Sequence, residues 1–126
     1  MKLRRDTLLA FLLPILGTVC LLRSEAVGQK VVIVTTDTLT STQRSVSGVK
    51  SVVRSANPEA QFREILLNQD VDKAAQFRDS ILALHPDVVV TNGTDATQFA
   101  KSNLGRTPIV FSSVMYPVTS GFAETF

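Results

Sequence analysis

Residues His85 to Val114, HPDVVVTNGTDATQFAKSNLGRTPIVFSSV, constrain the fold of this chain more than any other stretch. Asp87 to Thr91 is a short β-branched run behind a proline, the pattern of a buried strand. Asn92-Gly93-Thr94-Asp95 then turns the chain. Ala96, Phe99, Ala100 and Leu104 recur at helical spacing, and Gly105 stops that helix. Pro108 to Ser112 starts a second buried strand. A strand, a polar loop, a short helix and another strand form the unit from which parallel sheets are built. Ligands of open parallel sheets sit at the carboxyl ends of the strands. Thr91 to Asp95 and Ser112 to Tyr116 are therefore expected on one rim, where a binding site is to be sought.

The same alternation runs through the preceding chain. Lys30 to Thr35 carries Val31, Val32, Ile33 and Val34 unbroken, as expected of a central strand buried on both faces. Thr36 to Thr42 is a polar loop, with Thr40 and Gln43 in capping-box spacing for the next helix. Val46, Val49 and Val53 mark the buried stripe of that helix, and Asn57-Pro58 ends it. Phe62 to Leu67 is a second strand, and its Arg63-Glu64 pair suits an edge. Asp70 is placed to cap a further helix with Val71, Ala74, Ala75, Ile81 and Leu82 on one face. These elements predict an α/β fold, a doubly wound three-layer sandwich around a parallel sheet in the order 2-1-3-4. Four strands are few for such a sheet, and no clear element follows Tyr116-Pro117. The chain reads as one incomplete lobe of a larger protein.

The first 26 residues read as an address. Lys2, Arg4 and Arg5 precede an apolar run from Thr7 to Leu22, and Ser24-Glu25-Ala26 follows with small residues where a signal peptidase reads. Cleavage is expected after Ala26 or, two residues on, after Gly28. The run is shorter than the ~20 residues of a membrane span and contains Pro14 and Gly17, which disfavours an uncleaved anchor. Val19 before Cys20 is a poor fit to a lipoprotein signal. Any membrane contact is thus assigned to the signal segment alone, and the location to the periplasm or another extracytoplasmic space.

Residues 1–26 hold four of the 13 basic and two of the 11 acidic side chains, which leaves nine of each beyond them. No basic patch remains to support nucleic-acid binding. Cys20 is the only cysteine, so residues 27–126 have no disulfide, no thiol nucleophile and no cysteine-ligated metal. The single histidine, His85, stands at a helix end before Pro86, a structural position. No phosphate loop, dinucleotide fingerprint, carboxylate pair or metal-spaced cluster is present. Catalysis, a metal and a cofactor are therefore not expected.

Several features together resemble one family. They are the leader followed by VVIVTTD, an edge strand ending Leu67-Asn68, Pro86-Asp87-Val88-Val89-Val90 followed by Gly93-Thr94-x-Ala96, and Thr107-Pro108-Ile109-Val110-Phe111 followed by Ser112 to Val118. Over residues 30 to about 122 the chain resembles the first lobe of ABC-transporter substrate-binding proteins of the type 1 periplasmic-binding fold, in the uncharacterised or tryptophan/tyrosine-type branch. The family commonly has an acid before the proline after strand four, where this chain has Tyr116 before Pro117. Family members continue for about twice this length through a hinge into a second lobe, and Phe126 falls near the first crossover.

The resemblance implies a small polar or amino-acid-like ligand, clamped between two lobes, and ABC permease subunits as partners. Gly93 lets backbone approach a ligand closely. Thr94 either caps the helix or offers its hydroxyl. The N–H groups near Thr94, Asp95 and Ala96 make an anion seat. Thr36 and Asp37 share the rim, Asp37 as an ammonium partner or a solvated loop acid. Ser112 and Ser113 offer hydroxyls, and Tyr116 an aromatic wall. A ligand-sensing module of a membrane receptor and a non-binding remnant are the competing readings.

Overall fold

The computed structural model describes residues 28–68 and 73–125. The expected signal segment, the Asp70 cap and Val71 lie outside the described residues. The elements run β1 (Lys30–Thr35), α1 (Thr40–Ala56), β2 (Gln61–Leu66), α2 (Ala74–Ala83), β3 (Val88–Asn92), α3 (Thr94–Asn103) and β4 (Ile109–Ser112). All four strands are parallel, in the order β2-β1-β3-β4. The alternation of strand and helix read from the sequence is the alternation observed.

The unbroken VVIV of β1 has the expected physical cause. Successive side chains of a strand point to opposite faces. Val31 and Ile33 pack with Val46 of α1 and Val90 of β3, with Val49, Val53 and Phe62 around them. Val32 and Val34 pack on the other face with Ile81 of α2, Ala96 and Ala100 of α3, and Val89. Three layers result, with α1 on one side and α2 and α3 on the other. Each fully buried valine contributes about 1.5–3 kcal/mol relative to exposure, so β1 is the energetic centre of the sheet. β2 is an edge, as its charges suggested. Glu64 pairs with Lys50 of α1, and the Arg54 guanidinium lies 5.0 Å from the centre of the Phe62 ring.

Several local expectations need correction. The Thr40–Gln43 capping box is absent. Leu39 is the N-cap of α1, and Thr40 is already helical. No side chain caps the helix; Asp37 instead ties the loop to its first turn, accepting the Leu39 N–H at 3.0 Å and the Thr42 hydroxyl at 2.6 Å. In α2 the inward stripe is Ala74, Phe77 and Ile81, at i, i+3 and i+7, whereas Ala75 and Leu82 are exposed. The aromatic Phe77 outweighs Ala75 and turns the helix by one position. Leu67 lies just past β2 and joins the core, with its N–H bonded to the Thr35 carbonyl. Asp87 precedes β3 and accepts the Lys30 N–H at 2.7 Å through its carboxylate.

Helix ends follow sequence chemistry. Asn57 caps α1 ahead of Pro58. Gly105, with φ 58°, follows the Leu104 C-cap of α3 in the left-handed region that glycine tolerates. His85 holds a similar conformation after α2 at φ 49°, with its N–H bonded to the Leu82 carbonyl, in keeping with its structural reading. Residues 113–125 form turns with no further strand or helix. Among the described residues no helix is long and apolar enough to cross a membrane.

Candidate functional site

The strand order creates a switch point. From β1 the chain leaves through α1 to β2 on one side, and from β3 it leaves through α3 to β4 on the other. The two helices lie on opposite faces, so their loops depart in opposite directions at the carboxyl ends of β1 and β3, the position of the crevice in open parallel sheets. Open parallel sheets bind ligands at such a point. Register brings Thr35 beside Asn92, and Asn92 beside Ser112, along this rim.

The loops meet closely at Gly93. Its φ of 98° and ψ of 160° belong almost only to glycine, and a side chain there would stand 3.8 Å from the Thr36 hydroxyl. The Gly93 N–H donates to the Ser112 carbonyl at 2.9 Å. Gly93, not Thr94, is the N-cap of α3, and no side chain caps this helix. The helix start is held from inside instead. The buried Thr97 hydroxyl donates to the Gly93 carbonyl at 2.8 Å and lies 2.8 Å from the buried Thr91 hydroxyl. Since the single Thr97 proton goes to Gly93, Thr91 is the donor in the second bond.

The predicted site residues divide into two groups. Thr36, Asp37, Gly93, Thr94 and Asp95 gather around the crevice. Thr94 is the first residue of α3, and its hydroxyl accepts the Met115 N–H at 3.2 Å. That bond corrects its reading as a cap and ties the loop after β4 to the helix start. Asp95 is exposed in the first turn, where its charge favours the helix and opposes a second anion. The Thr42 hydroxyl, and after it the Leu39 N–H, hold the Asp37 carboxyl below the usual carboxylate range. These two bonds favour the ionised form of Asp37 at the start of α1.

Ser112, Ser113 and Tyr116 form the second group, one strand further along. Ser112 Oγ lies 3.4 Å from the Thr91 carbonyl. Ser113 and Tyr116 are exposed, at φ 56° and 52°. Tyr116 is 75% exposed. Two surface depressions lie away from the rim, one beside the amino ends of β1 and β2 at Lys30, Gln61 and Arg63, the other along α1 at Ser47, Ser51 and Arg54. Neither brings together groups of complementary chemistry, and the rim remains the better candidate. Among the described residues no group of three or more His, Cys, Asp or Glu stands ready to hold a metal.

One residue of the Thr91 to Asp95 rim, expected only to turn the chain, has a second property. Asn92 ends β3, is 8% exposed, and its buried amide nitrogen has no hydrogen-bond partner. A detectable signal was present: Asn92 shares the parity of Val88 and Val90 and therefore points to the α1 face of a central strand.

Two solved structures resemble this arrangement. A conserved domain protein from Vibrio cholerae superposes with a TM-score of 0.68 at 20% identity, over 77% of this chain and 34% of that one. An ABC domain in complex with L-Trp from Streptococcus pneumoniae gives 0.69 at 16% identity, over 78% and 34%. At these identities the likeness establishes fold: the sheet and its helices are a partial lobe of a binding-protein-like fold. The chain spans about a third of the length of these two structures. No family model matches the sequence, and no match is found among curated proteins.

Proposed function

We propose that this chain is the first lobe of an exported solute-binding component of an ABC transporter, and that it binds rather than catalyses. The ligand is small and polar or amino-acid-like, held where β1 and β3 end. The observation that carries this reading is the switch-point crevice, with Thr36 and Asp37 on one lip and Gly93 and Thr94 on the other. The L-Trp held by one structure of the same fold supports an amino acid as the ligand. The leader pattern of residues 1–26 supports export, and permease subunits are the partners such a component would deliver to. Ligand affinity in this fold comes from enclosure between lobes, so one lobe alone is expected to bind weakly.

Calorimetric titration of L-tryptophan and other amino acids tests the reading. The expected result is tight binding when the chain is joined to a second lobe of this fold and weak binding by the chain alone. Absence of binding to the joined protein would refute it. N-terminal sequencing of protein secreted by cells should give Val27 or Gln29 as the first residue; retention of Met1 would refute cleavage.

A further inference from the structure

Among the described residues, the Asn92 amide nitrogen is the one buried side-chain polar atom without a hydrogen-bond partner, and it stands at the crevice. Several neighbouring polar groups are already engaged. Thr91 donates to Thr97, and Thr97 donates to the Gly93 carbonyl. Asp37 holds Leu39 and Thr42. Thr94 holds Met115. Asn92 Nδ2 is buried without an acceptor. A buried donor left so is costly, because it has given up water without gaining a replacement. Residues at such positions fill core space more favourably when apolar, as Val88 and Val90 do on the same face of β3.

Its placement gives the orphan group a direction. Asn92 is the last residue of β3, at the switch point, beside Thr35 in register and one peptide before Gly93. It lies on the α1 face, the side on which Asp37 and the buried Thr42 begin α1. The crevice residues Thr35, Thr36, Asp37, Asn92, Gly93, Thr94 and Asp95 include two acids and no base. This composition favours a cationic group and disfavours a bare anion. An acceptor oxygen for Asn92 is therefore best brought by a ligand that also carries an amine.

On the reading above, we propose that Asn92 is a specificity residue of the crevice: its side-chain amide donates to a carboxylate oxygen of an α-amino acid whose ammonium is balanced by Asp37. Asn92 then distinguishes an amino acid from the corresponding amine.

Side-chain amide NMR of the 15N-labelled chain tests this, because it detects weak binding. The Asn92 signal is assigned by its loss in Asn92→Leu. Millimolar L-tryptophan should shift that signal together with the backbone amides of Thr36 and Gly93. Tryptamine, which lacks the carboxylate, should shift Thr36 and leave the Asn92 side chain in place. Asn92→Leu should weaken L-tryptophan binding roughly tenfold or more, the scale of a lost bond to a charged group, and leave tryptamine unaffected. Its melting temperature without ligand should be equal to or above that of the parent. A fall of several degrees would mean that the amide has a structural partner, and would overturn the inference. Shifts at Thr36 and Gly93 with none at Asn92 would overturn it too, leaving the proposed function standing. Equal response to tryptamine at Asn92 would do the same. No shift at any rim residue would overturn both.

Discussion

Replacing Thr97 by valine should destabilise the chain more than replacing Thr91, although Thr91 is the more deeply buried. Thr91 is 0% exposed and Thr97 2%. The direction of the hydrogen bonds decides the order. Thr97 donates to the Gly93 carbonyl and accepts from Thr91. Valine keeps the shape and removes the hydroxyl. Thr97→Val therefore breaks two bonds and strands the Thr91 donor in the core, a cost of about 1–3 kcal/mol. Thr91→Val removes one bond and strands nothing, since Thr97 keeps Gly93; about 0.5–1.5 kcal/mol is expected. The double variant has no stranded hydroxyl, so its cost should fall short of the sum by about 1 kcal/mol, a coupling of the size found between residues in contact. Urea unfolding of the four proteins measures all three values. For a small domain, with a slope near 1 kcal/mol per M, Thr97→Val should lower the midpoint by about 1 M or more at unchanged slope. Additive costs, or a larger loss from Thr91→Val, would refute the assigned direction.

Two other outcomes follow from the rim. Gly93→Ala should cost about 1–3 kcal/mol in the same unfolding assay through backbone strain alone, because the Thr36 hydroxyl at 3.8 Å leaves room for a methyl group; a neutral effect would show that the loop can adopt another conformation freely. The bonds to Asp37 favour its ionised form, so they add stability that is present above the unfolded carboxylate value of about 3.9 and is lost as pH falls through the lower folded value. The melting-temperature difference between the parent and Asp37→Asn should accordingly favour the parent at neutral pH and vanish in acid; a difference independent of pH would refute this origin.

Much of the architecture was legible because parallel strands buried on both faces leave a strong mark. VVIV, DVVVT and PIVFS stand out as β-branched runs between helical stripes, and the charges of Arg63 and Glu64 exposed β2 as an edge. Details set by competing side chains were less legible. Thr40 and Gln43 had the spacing of a capping box, yet Thr40 is already helical, Leu39 takes the N-cap position, and Asp37 holds Thr42 from the preceding loop. Ala75 and Leu82 fitted an apolar face as well as Phe77 did, and only packing volume separates them. The rim residues Thr36, Asp37, Gly93 and Thr94 were found from strand ends alone. Asn92 reads as a turn residue because Asn-Gly so often makes a turn, whereas here the strand includes Asn92 and Gly93 does the turning.

The central position of β1 also governs the order in which the chain can fold. Parallel neighbours have no hairpin to join them, and every ladder of this sheet closes across a helix. The Lys30 N–H meets the Asp87 carboxylate across 57 residues of sequence, and β1 meets β2 only after α1 has been made. Such distant closures slow folding, because entropy is lost before the contacts return it. A chain made from its amino end therefore exposes its most apolar strand first and gains that strand's second partner, β3, only after α1, β2 and α2 have been made. Until Val88 to Asn92 arrives, Val31 to Val34 has a bare flank, and during that interval a holding factor that binds short apolar segments has its best target.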